Sequence, residues 1–134
     1  MQKSVLLVDD SQIVRRVMRD FFEAQTDWKI GGEAGDGAEA IQKAKELRPD
    51  LILLDFSMPN MNGMQAAPVL KKMLPKAYII VFTMYSEALG STLSSADGVD
   101  LVVPKAEGLT VLAKALQGLV ATAGLINGGA NANH

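Results

Sequence analysis

The chain contains no cysteine and a single histidine, and each scarcity removes a class of chemistry. Without thiols there is no disulfide framework, no thiolate nucleophile and no cysteine-based zinc site. The one histidine is His134, the last residue, in a Gly/Asn-rich stretch expected to be a flexible tail over residues 125–134. That place argues against a Ser-His mechanism or a histidine-bound metal. Charge of one sign is lacking too: 13 basic residues stand against 15 acidic, a net charge of −2. Such a balance gives no footprint for direct nucleic-acid binding or for an anionic membrane. No apolar run approaches the roughly 18 residues of a membrane span. Met1-Gln2-Lys3 leads straight into a strand pattern, so no signal peptide is expected and the cytoplasm is the expected compartment. What remains for chemistry is carboxylates, hydroxyls and lysines.

What is present fits one globular domain over residues 1–124: 134 residues in all, 49% hydrophobic, with a mean hydropathy of +0.16. Apolar runs of strand length occur at 4–8, 29–34 (softened by Gly31 and Gly32), 51–54, 78–82 and 101–103. Between them lie helical patterns. The first, over 12–23, lines up Ile13, Val14, Val17, Met18, Phe21 and Phe22 as a core stripe, with Arg15 and Arg16 expected on a solvated face. The second, over 38–47, turns Ala40, Ile41, Ala44 and Leu47 inward and is halted by Arg48-Pro49. A third reaches about Met73, a weakly apolar fourth covers 86–95, and a fifth covers 109–123 with Leu112, Leu116 and Leu119 as core. Near-continuous apolar strands alternating with helices specify an α/β fold, a parallel sheet covered on both faces.

In such a doubly wound sheet, ligands bind at the carboxyl ends of the strands. The first strand ends in Asp9-Asp10, the third in Asp55, the fourth in Thr83, and Lys105 follows the fifth. With strand order 2-1-3-4-5 these groups converge on one edge. Three carboxylates about 5–6 Å apart repel by roughly 3 kcal/mol per pair at an effective dielectric near 20. A protonated member or a cation resolves this, and an oxygen-only ligand set suits Mg²⁺ or a similar hard ion such as Mn²⁺. A hard ion beside a lysine and a hydroxyl makes a cradle for phosphoryl oxygens, and Asp55 is then a carboxylate able to accept phosphoryl as an acyl phosphate. Singly, these residues have plainer readings. Asp9-Asp10-Ser11 suits a helix cap, Asp55 a turn, Thr83 a strand-end hydroxyl and Lys105 a solvated surface. Their joint placement favours a site.

The segments VLLVDDS (5–11), LILLDFSMPNMNG (51–63), VFTM (81–84) and VVPKAE (102–107) resemble the receiver domain of two-component response regulators, over about residues 3–123. The resemblance implies a flavodoxin-like five-stranded three-layer sandwich and a phospho-accepting signalling switch. It implies Asp55 as phospho-acceptor, and Asp9, Asp10, Asp55 and the Ser57 backbone carbonyl as ligands of Mg²⁺ or Mn²⁺. Thr83 would turn toward the phosphoryl group and Lys105 would pair with it. The implied partners are the phosphohistidine of a sensor histidine kinase or phosphotransfer protein, and an output partner on the fourth helix, fifth strand and fifth helix. Homodimerisation on phosphorylation is a further possibility of the family. The chain would be no conventional enzyme, catalysing only its own aspartyl phosphorylation and dephosphorylation.

Three features depart from the commonest family pattern. Pro104 precedes Lys105 where a proline commonly follows it, so a cis bond before Ala106 is not expected. Val102 stands where strand five often carries a switching aromatic. Pro68 falls within the third helix, which is therefore expected to start late or kink. Two other functions share this architecture. An aspartyl-phosphate phosphatase places its acids as D-x-D after the first strand, whereas here they are adjacent. A flavin module needs a Ser/Thr/Gly phosphate loop there, and DDSQ offers none.

Overall fold

The computed structural model describes residues 3–55, 61–83, 98–104, 109–114 and 116–118. Their elements run β1 (Ser4–Val8), α1 (Gln12–Gln25), β2 (Lys29–Ala34), α2 (Gly37–Leu47), β3 (Leu51–Leu54), α3 (Gly63–Met73), β4 (Tyr78–Thr83) and β5 (Leu101–Pro104). Residues 109–114 and 116–118 are also helical. The five strands form one sheet in the order β2-β1-β3-β4-β5, every pairing parallel. The helix expected over 86–95, Leu119 and the tail over 125–134 lie outside the described residues.

Period-two alternation sorts the strand side chains onto two faces. Leu6, Val8, Ile52, Leu54, Ile79 and Val81 meet α2 and α3, which contribute Leu70 and the small Ala40, Ala44, Ala66 and Ala67. Val5, Leu7, Leu51, Leu53, Ile80 and Phe82 meet Met18, Phe21 and Phe22 of α1 together with Leu112 and Leu116. Trp28, unassigned by the sequence, is buried in this second layer. Both faces of the sheet are therefore dry, as continuous apolar strands require. Pairing of β1 with β2 slips between Val5 and Leu6, whose partners are Ile30 and Gly32, so Gly31 is the extra residue of a bulge in an edge strand.

Two expectations about helix faces need correction. The six apolar positions of α1 span roughly 180° at about 100° per residue. The buried arc is the roughly 100° from Phe21 through Met18 to Phe22, a typical core-facing stripe. Ile13 (78% exposed) and Val17 (50%) fall outside it and face solvent, and Val14 is only half-buried. In α2, Leu47 is likewise not buried, at 42% exposure, although its side chain lies over Gly32.

The third helix does not start late. It begins at Gly63 and continues through Pro68 to Met73. A capping box fixes its first turn: Asn62 accepts from the Gln65 N–H at 3.0 Å, and Gln65 accepts from the Asn62 N–H at 3.0 Å. Pro68 removes the hydrogen bond to the Met64 carbonyl, but both residues are exposed, so water can satisfy that oxygen. Gly98 then packs against the same stretch with φ of +85°. A Cβ on Gly98 would stand 2.6 Å from the Ala67 carbonyl oxygen, on rigid backbone. Gly98→Ala should therefore lower stability by about 1–2 kcal/mol from the left-handed backbone alone, measured by urea denaturation. An unchanged midpoint would refute the tight approach.

Candidate functional site

The site is built from strand ends. The Val8–Leu54 pairing sets the last residues of β1 and β3 side by side. Beyond them the ladder continues one step: the Asp9 N–H donates to the Ala34 carbonyl at 3.0 Å, and the Asp55 N–H to the Val8 carbonyl at 2.9 Å. Both aspartates thus inherit the rigidity of the sheet, and both are buried, at 4% and 6% exposure. Asp10 is exposed. Carboxylate oxygens of Asp9, Asp10 and Asp55 all lie within 4.8 Å of one another.

The chain turns immediately into a helix. Ser11 caps α1, its hydroxyl accepting from the Val14 N–H at 3.2 Å, and the Ser11 N–H donates to Asp9 Oδ1 at 2.9 Å. The plainer capping reading of this segment is therefore true of Ser11, while the two aspartates join the cluster. Two carboxylates taken out of water beside a third are electrostatically costly. An all-oxygen donor set of this compactness fits a hard divalent cation, so the residues present suit Mg²⁺ or Mn²⁺.

The other expected residues are less fully placed. Thr83 is the last residue of β4 and pairs in register with Pro104 of β5, two positions beyond Val81, the partner of Leu54. The backbone of Thr83 thus lies at the same sheet edge as Asp55. Ser57 and Lys105 lie outside the described residues, as does the region over 84–97 expected to carry part of the output face. Val102, at the position of the missing aromatic, packs partly buried against the α2–α3 layer. No cis peptide bond occurs among the described residues. No helix among them is long and apolar enough to cross a membrane.

A group that sequence reasoning passed over borders the cluster. Arg15 is not on a solvated face: its guanidinium donates to the Asp9 backbone carbonyl and, through Nε, to Glu33 Oε1 at 2.9 Å. Arg19 also bonds Glu33, with Nε 2.8 Å from Oε2. Arg16 is exposed as expected. Burial pushes the Glu33 carboxyl up, but the hydrogen bonds and charges of Arg19 and Arg15 outweigh it and hold the group below its ordinary range. A depressed folded value means that Glu33 stabilises the fold above the usual glutamate value of about 4.3. That contribution fades as pH falls from there through the folded value. Glu33→Gln should accordingly flatten the acid limb of a stability–pH profile while costing on the order of 1 kcal/mol near neutrality, since the pair is partly exposed. Parallel profiles for the two proteins would contradict this.

Comparison with known proteins decides the family. The profile described as "Response regulator receiver domain" matches residues 5–117. The chain belongs to the response regulator receiver domain family. It is 42% identical over 91 residues to the protein-glutamate methylesterase/protein-glutamine glutaminase of Thermotoga maritima, covering 68% of this chain and 26% of that protein. It is 36% identical over 113 residues to the response regulator protein VraR of Staphylococcus saprophyticus, covering 84% of this chain and 54% of that one. The chain thus spans between about a quarter and about half the length of these curated relatives. The response regulator TrrA of Thermotoga maritima, solved in complex with Mg²⁺-BeF, superposes with a TM-score of 0.78 at 30% identity over 88% of this chain and 99% of that one. As a receiver domain of this fold, the chain fits the role of a phospho-accepting switch in two-component signalling.

Proposed function

We propose that Asp55 is the acceptor of this switch and that Asp9, Asp10 and the Ser57 carbonyl join it in holding Mg²⁺. The observation that carries this reading is the cluster itself, three carboxylates gathered at the sheet edge with two of them buried. Mg²⁺ bound there would neutralise the cluster and screen the charge of an incoming phosphoryl group. Asp55 supplies the nucleophile: a carboxylate oxygen forms the new bond to phosphorus as the bond from phosphorus to the donor nitrogen breaks, and the imidazole, already protonated on its other ring nitrogen, leaves as the neutral ring. The donor in this reading is a phosphohistidine on a sensor kinase or phosphotransfer protein. Thr83 and Lys105 are assigned to the transferred phosphoryl oxygens, one by hydrogen bond and one by charge. The domain of this function is residues 1–124, and it works as a switch on partner binding rather than as an enzyme turning over a free substrate.

Incubation with acetyl phosphate tests the reading by intact mass. One phosphoryl group should be added in the presence of Mg²⁺ and none after chelation. Catalytic hydrolysis of a generic phosphomonoester, with no stable adduct, would favour the phosphatase reading instead.

A further inference from the structure

We propose that Arg15 is a positioning residue of the cation site, acting through the backbone of Asp9. The inference rests on the cation-site reading above and adds a residue to it. Asp9 is the only member of the cluster whose backbone is gripped by an arginine among the described residues. Its N–H is bound to the Ala34 carbonyl at 3.0 Å, its carbonyl accepts from Arg15 Nη1, and its Oδ1 accepts from the Ser11 N–H at 2.9 Å. The first and third of these are supplied by main chain. The second depends on one side chain, which reaches back from the second turn of α1.

Arg15 is itself held. Its Nε bonds Glu33 Oε1 at 2.9 Å on β2, and Glu33 is anchored a second time by Arg19. The guanidinium therefore ties α1, β2 and the end of β1 at one point. A planar fork can meet a carbonyl and a carboxylate together, whereas a lysine ammonium offers a single point charge. Glu33 also offsets part of the charge of Arg15, although the carboxylate is shared with Arg19.

Two physical effects of removing Arg15 have opposite signs, which makes the inference testable. If Arg15 acts only as a nearby positive charge, its loss should tighten a divalent cation. If it positions Asp9, its loss should weaken the cation, as loss of partners that orient metal ligands commonly does by roughly 10- to 100-fold. Calorimetric titration of the metal-free protein with Mg²⁺ well below its melting temperature separates them. Arg15→Met should weaken Mg²⁺ about tenfold, at the low end of that range. Arg15→Lys should also weaken it, although charge is kept. Arg16→Met removes the same charge from the exposed neighbour and should leave Mg²⁺ affinity unchanged or slightly raised. Should Arg15→Met fail to fold, Arg15→Lys against Arg16→Met carries the comparison. A purely structural Arg15 would lower the melting temperature and leave the affinity of the folded protein as it was, which would overturn the proposal, as would tighter binding. Absence of saturable Mg²⁺ binding in the unaltered protein would instead overturn the cation-site reading itself, a distinguishable failure.

Discussion

Asp55→Asn should be unable to take up a phosphoryl group from acetyl phosphate, while folding as well as the unaltered chain. Asparagine is close to isosteric with aspartate, and the backbone of residue 55 would keep its bond to the Val8 carbonyl. What changes is the chemistry. An amide oxygen is a poor nucleophile, and the acyl phosphate proposed for the carboxylate has no stable counterpart on an amide. The change also removes one of three negative charges lying within 4.8 Å of one another, one of the two that are buried. Metal-free stability should therefore hold or rise, so lost phosphorylation cannot be traced to unfolding. Intact mass after incubation with acetyl phosphate and Mg²⁺ reads the first effect, and thermal melting without metal reads the second. A phosphoryl adduct persisting in this variant would remove Asp55 as acceptor.

The parts of this molecule legible in the sequence are those set by short-range pattern. The runs at 4–8 and 51–54 read as buried strands, and in the order 2-1-3-4-5 a parallel sheet sends their ends to one edge, so the gathering of Asp9, Asp10 and Asp55 follows from strand order. What pattern alone does not carry is the width of the surface that covers each helix. The six apolar positions of α1 form too broad a stripe for one face of a sheet, and only packing reveals that Ile13 and Val17 fall off its edge. Arg15 was hidden for a related reason. On the helix it sits just past Phe22, on the flank that meets β2, and its partner Glu33 is 18 residues away in the chain. An arginine beside a core stripe reads as solvated until the acid opposite it is known. In α3 the expected late start fails because Asn62 and Gln65 cap the helix ahead of Pro68, and the Met64 carbonyl that loses its donor belongs to an exposed residue.

Asp10→Ala should make the metal-free protein more stable and its Mg²⁺ binding weaker. Most substitutions near a functional site lower stability, so the expected sign here is diagnostic of crowded charge. Its carboxylate lies within 4.8 Å of those of Asp9 and Asp55, a separation at which each like-charge pair costs roughly 3 kcal/mol for an effective dielectric near 20. Asp10 is exposed, and water around it reduces the repulsion toward the roughly 1 kcal/mol expected in bulk solvent. Among the described residues no hydrogen bond of the fold depends on the Asp10 side chain, since Ser11 supplies the cap of α1 and its own N–H bonds Asp9. The net gain should therefore be about 1–2 kcal/mol in chelator, at low salt, and smaller as ionic strength rises. With saturating Mg²⁺ the order should reverse, because the unaltered protein gains binding free energy that the variant has largely lost. The two melting curves would cross as Mg²⁺ is titrated in. A variant less stable than the parent in chelator would show that the three carboxylates do not repel appreciably. A variant that keeps full Mg²⁺ affinity would show that Asp10 is no ligand.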